Sequence, residues 1–289
     1  MKIFVIVFSS LVILGILWGI TELKLLKVTE YEIKDDNVPK SLKGKKIAVV
    51  SDLHEVYHGK DNIRLLDKLK NLAADYIIVS GDVINGRSEK ELIYLEHTLS
   101  SLSQLGAKVI YTFGNHEEKM AVNLSSKASY EKLLKLSAEY SLLLNDKGYV
   151  PETDNDVCFI GINLPLWLYH DHDRTGLIRR KILEIVEANE ANNKYKILIA
   201  HDPEHFDKYA ESGVNLCLCG HLHGGIIRVP FLGGLITPRM QIFKRVSKGY
   251  FEKGKMKMII SGGVGWHDLP IRILNRPEIV VIKFLEGLK

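Results

Sequence analysis

The chain has 289 residues, of which 46% are hydrophobic and 26% are charged, and its formal net charge is +4. A chain of this length and apolar content can bury a full core, which excludes a wholly disordered protein and fits one α/β domain with a short appendage. The small positive charge favours an anionic partner, such as a phosphate group or a membrane surface, and is too weak to predict nucleic-acid binding. Three cysteines without a spaced framework exclude a disulfide scaffold.

The N-terminal segment is strongly apolar, and residues 3–20 carry no charge. This is about the shortest length that crosses a bilayer, so we predict a transmembrane anchor over residues 1–22 and a single-pass protein of the cell membrane. A cleavable signal peptide is the alternative, but the segment lacks the small residues of a cleavage site. The lysines that flank the segment slightly favour a cytoplasmic catalytic domain, and the sequence does not decide on which side of the membrane that domain lies. Gly15 and Gly19 give a weak hint of helix pairing.

The segment after the anchor changes in character. Residues 23–44 are charged and weakly periodic, which predicts a linker with one edge strand over 28–33, and the catalytic domain is predicted over 45–289. Within it, apolar runs alternate with segments of helical spacing, as in a βαβ sheet. Short β-like runs after His223 predict a second sheet packed on the first.

Five short apolar runs each end in polar residues. Continuous apolar runs bounded by turns are typical of strands buried on both faces, and in α/β sheets sites form beyond the carboxyl ends of strands. We therefore expect the side chains that follow the runs to meet at one edge. They are Asp52 and His54, Asp82, Asn115 and His116, His201, and His221 and His223.

These side chains are typical of a metal centre. Carboxylate, amide oxygen and imidazole without thiolate suit manganese, iron or zinc, and two ions need a carboxylate that bridges them. Asp82 fits the bridge because it follows a run at a glycine turn. Each motif alone is weak evidence, whereas their joint occurrence, each after an apolar run, predicts two divalent metal ions.

The five blocks, Asp52-x-His54, Gly81-Asp82, Gly114-Asn115-His116-Glu117, His201 and Gly220-His221-x-His223, resemble those of the calcineurin-like metallophosphoesterases. The runs 220–230, 270–272 and 276–279 resemble the membrane-associated bacterial members of that family. The resemblance implies an α/β fold of two packed mixed β-sheets flanked by helices. Glu117 departs from the aspartate that many members have there.

The resemblance also implies roles for single residues. The first metal would take Asp52, His54, Asp82 and His223, and the second would take Asp82, Asn115, His201 and His221. His116 would be the general acid, and Asn115 and His116 would also contact substrate.

The predicted activity is hydrolysis of a phosphomonoester or phosphodiester by a hydroxide that two metals activate. The anchor, together with a basic segment containing Arg228, Arg239, Lys244 and Arg245, favours a lipid-linked phosphate, although the same segment fits a solvated sheet edge equally well. The alternatives are a UDP-sugar-lipid pyrophosphatase, a nuclease, or a non-catalytic membrane or envelope binding protein.

Overall fold

Strands and helices alternate along the part of the chain that the computed structural model describes, namely residues 2–123, 127–229, 233–236, 242–244, 246–266 and 269–285. The helices are α1 (Lys2–Glu22), α2 (Ile63–Leu72), α3 (Glu91–Ser103), α4 (Asn115–Asn123), α5 (Lys127–Tyr140), α6 (Leu177–Ala188) and α7 (Phe206–Glu211). The strands are β1 (Lys27–Lys34), β2 (Lys46–Val50), β3 (Tyr76–Ser80), β4 (Lys108–Thr112), β5 (Leu142–Leu143), β6 (Lys147–Tyr149), β7 (Val157–Gly161), β8 (Tyr195–Ile199), β9 (Leu216–Cys219), β10 (Ile227–Val229), β11 (Gly233–Ile236), β12 (Ile242–Lys244), β13 (Gly249–Lys253), β14 (Met256–Ile260) and β15 (Glu278–Leu285).

Two mixed six-stranded sheets form the body of the protein. The first has the order β1-β15-β2-β3-β4-β5, and only its β15–β2 pair is antiparallel. The second has the order β13-β14-β9-β8-β7-β6, with antiparallel pairs at its two ends. The predicted α/β fold with two mixed sheets is confirmed. However, the second sheet is not confined to the chain after His223, since β6 to β9 belong to it and β15 joins the first sheet.

The core has three layers because the central strands are buried on both faces. In β2, Ile47 and Val49 face the second sheet, whereas Ala48 and Val50 face the helices outside the first sheet. This alternation places apolar side chains at positions 47–50 of the strand, which explains the continuous apolar run in the sequence. A cluster that includes Ile182 and Leu198 packs α6 against the outer face of the second sheet.

The segment 23–44 takes part in the first sheet. The predicted edge strand is present as β1, which pairs in parallel with β15 from Lys27, opposite Glu278, onward. Leu23 and Leu26 are buried upstream of it. The packed structure therefore begins before Lys45, where the compact domain was expected to start.

Among the described residues, α1 is the helix long and apolar enough to cross a membrane, a test that a signal sequence would also pass. Most of its side chains are exposed, but its last turn packs on the body of the protein. A Cβ added to Gly19 would lie 2.5 Å from Cγ1 of Ile271, so any larger residue there would displace that side chain. The helix pairing expected from Gly15 and Gly19 stays a prediction, and one face of Gly19 is covered by Ile271.

Candidate metal centre

The residues predicted from the five blocks follow β2, β3, β4, β8 and β9, in the loops after these strands or, for Asn115 and His116, at the start of α4. Their ligand atoms form three overlapping groups, each within 4.8 Å. Asn115 begins α4 and is buried beside His116. The groups are Asp52, His54 and His223; His54, Asp82 and His116; and Asp82, His201 and His221.

The carboxylate of Asp82 is at the centre of these groups. Its Oδ2 lies 2.9 Å from Nε2 of His201, 3.8 Å from Nε2 of His54 and 3.9 Å from Nε2 of His116. Its Oδ1 accepts a hydrogen bond of 2.9 Å from the backbone N–H of His116. One carboxylate thus faces imidazoles that come from both sheets, which is the arrangement that a bridging ligand needs.

Asp52 connects the first sheet to the loop after β9. Its Oδ1 accepts a 2.9 Å hydrogen bond from the backbone N–H of His221 and lies 3.5 Å from Nε2 of His223. The same oxygen lies 3.7 Å from Nε2 of His201. The imidazole of His201 therefore lies near both carboxylates, those of Asp52 and Asp82.

Five of these residues have a left-handed backbone. Such φ angles are uncommon outside glycine, and holding them costs on the order of 1–3 kcal/mol each when they are strained. Residues in these conformations persist where the surrounding structure fixes them, which is typical of functional sites. The residues are Asp52 (φ 53°), His54 (φ 48°), Asp82 (φ 54°), His221 (φ 72°) and His223 (φ 51°).

The fully buried Glu117 holds two of the loops together. Its carboxylate accepts hydrogen bonds from the backbone N–H groups of Asp82 (2.9 Å), Val83 (2.7 Å) and Gly114 (2.8 Å). The hydroxyl of Tyr111 donates a fourth, of 2.9 Å. Burial, and then the charge of Asp82, raise the pKa of Glu117. The glutamate therefore positions the loop that carries Asp82.

Carbonyl groups fix the orientation of two imidazoles. Nδ1 of His201 lies 2.7 Å from the backbone oxygen of Ser80, and Nδ1 of His116 lies 2.7 Å from that of Asn85. Because a carbonyl oxygen only accepts, each Nδ1 must carry the hydrogen. Nε2 of each ring then points toward the carboxylate of Asp82, where it can carry a proton or bind a metal ion, and ligating histidines are usually held in this way.

His223 differs from these two histidines. The guanidinium of Arg272 donates to its Nδ1 at 3.1 Å and to the carbonyl oxygens of Gly262 and Gly265, both at 2.6 Å. Arginine only donates, so Nδ1 of His223 is the acceptor and the neutral ring carries its hydrogen on Nε2. Metal binding through Nε2 of a neutral His223 therefore requires this contact to change.

Asn275 joins the loop of His223 to the end of α1. Its Nδ2 donates to the carbonyl oxygens of His223 (2.6 Å) and Gly225 (2.5 Å). Its Oδ1 accepts from Lys248 at 3.0 Å, and its backbone N–H donates to the carboxylate of Glu22 at 3.1 Å. The side chain is buried. Asn275 therefore fixes the backbone on both sides of Gly224 with respect to the helix.

The ionisable side chains in the site shift one another's pKa values. Burial favours the neutral form of His201, but the carboxylate of Asp82 outweighs it and raises the pKa of His201 to about 10. The same pair holds the pKa of Asp82 well below its usual value against the effect of burial. Burial raises the pKa of Asp52 to about 6, and Asp82 adds to this shift. A cation that binds here therefore displaces the proton of His201.

Two buried oxygen atoms indicate that the site holds something more than protein. Among the described residues, Oδ2 of Asp52 and Oδ1 of Asn115 have no hydrogen-bond partner. Buried polar atoms rarely lack a hydrogen-bond partner, and a bound ion or water molecule is the usual explanation when they do. Oxygen and imidazole donors without thiolate fit manganese, iron or zinc. The side chains present thus fit divalent cations.

Sequence reasoning missed three residues beside the site. Arg272 belongs to a run singled out for its family resemblance, but its contact with His223 has no local signal. Asn275 and Tyr169 have no signal at all. The ring of Tyr169 lies 5.2 Å from that of His221, and its buried hydroxyl lacks a hydrogen-bond partner among the described residues.

The fold and the site together define a metallophosphoesterase. The chain belongs to the calcineurin-like phosphoesterase family, whose sequence model matches residues 45–225. The metallophosphoesterase YkuE of Bacillus subtilis is 26% identical over 89% of this chain and 85% of its own. The phosphodiesterase YaeI of Escherichia coli is 25% identical over 73% and 70%. A transmembrane protein with a metallophosphoesterase domain from Danio rerio is 25% identical over 89% and 56%. The predicted resemblance is confirmed.

We expect an Asn275→Asp variant to bind metal about 10–100-fold more weakly, the usual effect of losing a group that supports a ligand. The new oxygen would face the carbonyl oxygens of His223 and Gly225 and repel them, which frees the strained loop. Titration of the metal-free protein with Mn²⁺ measures the change. Asn189→Asp is the matched control, because Asn189 also donates to a backbone oxygen, that of Ile185, away from the site. Equal affinity in both variants would contradict this role for Asn275.

Proposed function

We propose that this protein is a membrane-anchored phosphoesterase that uses two divalent metal ions to hydrolyse a phosphomonoester or a phosphodiester, including a lipid-linked one. The observation that carries the proposal is the carboxylate of Asp82, which faces three imidazoles within 3.9 Å. Family membership supports the hydrolase class. The name of YaeI supports a phosphodiester among the possible substrates.

The chain supplies a ligand set for each metal. In this proposal Asp52, His54 and His223 hold the first ion, Asn115, His201 and His221 hold the second, and Asp82 contacts both. The cations, when bound, lower the pKa of a water molecule and neutralise charge on the phosphoryl oxygens. Glu117 keeps the carboxylate of Asp82 in place through the hydrogen bonds described above.

His116 is proposed as the general acid. Its Nδ1 donates to the carbonyl oxygen of Asn85, so protonation occurs at Nε2, 3.9 Å from Oδ2 of Asp82. The Nε2–H can then donate its proton to the oxygen of the leaving group, while the bond to Asn85 keeps the ring oriented. Asn115, which precedes His116, has its buried Oδ1 available for a metal ion or substrate.

A lipid-linked substrate is supported by the proposed anchor, and not by the cavity beside His223, whose volume of about 10 Å³ has room for one water molecule. The basic segment adds little support, since Arg228 donates to the carbonyl oxygens of Gly224 and Lys248. Arg239, Arg245 and the side chain of Lys244 lie outside the described residues. The cavity is lined by His223, Ile226, Trp266, Leu269, Ile271 and Arg272.

Assays of the full chain in detergent test the function. The full chain is needed because β1 begins at Lys27 and Glu22 contacts Asn275. We expect metal-free protein to gain hydrolysis of monoester, diester or phospholipid substrates when Mn²⁺, Fe²⁺ or Zn²⁺ is added, and His221→Ala to remove most of it. Metal binding without hydrolysis of any ester would favour the non-catalytic alternative, and activity confined to nucleic acid would favour a nuclease.

A further inference from the structure

The loop formed by residues 269–276 packs against the last turn of α1. The backbone N–H of Arg272 donates to the carbonyl oxygen of Gly19 at 3.3 Å. The missing side chain of Gly19 leaves the space that Ile271 and Ile273 fill, with Cγ1 atoms 2.5 and 3.1 Å from an added Cβ. The loop is therefore fixed to the helix at the level of Gly19.

The position of Gly19 sets the level of the loop along the helix. Residues 3–20 are uncharged, so Gly19 lies near the end of the apolar stretch, and the first charged residue after it is Glu22. If residues 3–20 cross the hydrocarbon core of a bilayer, the loop lies where that core meets the lipid headgroups. Residues of the loop that face away from the body of the protein would then contact lipid.

The outer side of the loop is suited to that position. Leu269 is 58% exposed and Leu274 is 53% exposed, so one short loop presents two large apolar side chains to its surroundings. Leu274 also has a left-handed backbone (φ 54°), so the chain adopts an uncommon conformation there. Trp18 on α1 is exposed at the same end, a residue that often lies at membrane interfaces.

Cationic side chains surround this apolar face. Lys24 is exposed, and the side chain of Arg276 is 49% exposed although its Nε lies 3.6 Å from the carboxylate of Glu22. Basic residues beside an apolar surface favour anionic lipid headgroups.

We propose that residues 269–276 form a second membrane contact, in which Leu269 and Leu274 enter the lipid interface beside the anchor. This inference rests on the proposed anchoring by α1. The inner side of the same loop carries Arg272, which contacts His223. Lipid contact at Leu269 and Leu274 would therefore place the loop that contacts His223 at the level of the headgroups.

An environment-sensitive fluorophore on cysteine tests this contact. The full-length Leu274→Cys variant is labelled and reconstituted into vesicles of phosphatidylcholine and phosphatidylglycerol, some of which carry spin-labelled lipid. Labelling is selective because Cys158, Cys217 and Cys219 are fully buried. We expect blue-shifted emission and strong quenching by the spin-labelled lipid.

Two matched variants separate the possible outcomes. Ile93→Cys on α3 starts from a side chain that is 69% exposed away from the loop, and its label should stay in water. Phe8→Cys on α1 should be quenched by lipid. The label at residue 274 could stay in water, or its emission could shift without lipid quenching because two copies associate. Either result, with the label at residue 8 quenched, would overturn the contact and leave the anchor intact. A label at residue 8 in water would overturn the anchor itself.

Discussion

An Asp82→Asn variant is expected to lose bound metal and to hydrolyse phosphoesters at least about 10³-fold more slowly than the unchanged protein. Oδ1 of Asp82 accepts the backbone N–H of His116, so the amide oxygen should keep that position. The amide nitrogen would then face Nε2 of His201, now 2.9 Å from a carboxylate oxygen. An amide nitrogen carries no negative charge and cannot bind a cation. Elemental analysis of metal per chain and steady-state kinetics measure both losses.

Asp173→Asn is the control for this change. Asp173 is another buried aspartate, and its carboxylate accepts the backbone N–H of Ile178 at the start of α6. An asparagine keeps only one of the two oxygens that accept hydrogen bonds there, and it leaves the predicted metal ligands unchanged. This variant should therefore lose some stability but keep its metal and its rise in melting temperature when metal is added. If Asp82→Asn also kept two ions per chain and normal turnover, Asp82 would not bridge them.

The buried strands are the elements that the sequence predicts best, because both faces are apolar and turns bound them. The runs 76–80 and 256–260 coincide with β3 and β14. The partners of a strand are harder to predict. The sequence marks residues 279–284 as β-like, but their place between β1 and β2 depends on contacts such as Ile282 with Ile47, far apart in the chain. For this reason the second sheet was expected to form only from residues after His223.

The residues predicted as ligands are visible in the sequence because each follows a strand directly. An apolar run that ends in aspartate or histidine is visible in the sequence, and parallel strands bring such ends together. Arg272 and Asn275 reach the site from a loop about 50 residues after His221, so no local pattern marks them. Glu117 was visible only as a departure from aspartate. Its role depends on the backbone of Val83, which β3 and its loop place beside it.

The left-handed backbones of the predicted ligands explain why such supports are needed. The backbones of Asp82 and His223 are strained, and other conformations would relieve that strain. The buried side chain of Glu117 fixes Asp82, and that of Asn275 fixes His223. The geometry of the metal centre is therefore a property of contacts between loops rather than of the five sequence blocks alone.

A His116→Ala variant is expected to keep its metal and to hydrolyse substrates with poor leaving groups about 10²–10⁴-fold more slowly, the usual contribution of a positioned general acid. Nε2 of His116 faces the site while Asn85 holds Nδ1, so the ring can deliver a proton to a departing oxygen. A nitrophenolate needs little protonation as it leaves. The loss should therefore shrink for nitrophenyl esters, which kinetics with alkyl and nitrophenyl substrates would show.

The competing role for His116 is that of a metal ligand, because His54, Asp82 and His116 also lie close enough to share one ion. A ligand role predicts fewer ions per chain in His116→Ala and an equal loss for alkyl and nitrophenyl esters, and either result would contradict proton transfer. His97→Ala, on α3 away from these groups, is the control for loss of an imidazole and should leave both metal content and turnover unchanged. An Asn85→Ala variant keeps the backbone oxygen that orients His116 and removes only the side-chain contact with Nδ1 of His54, at 3.1 Å, so its metal content should fall whichever role His116 has.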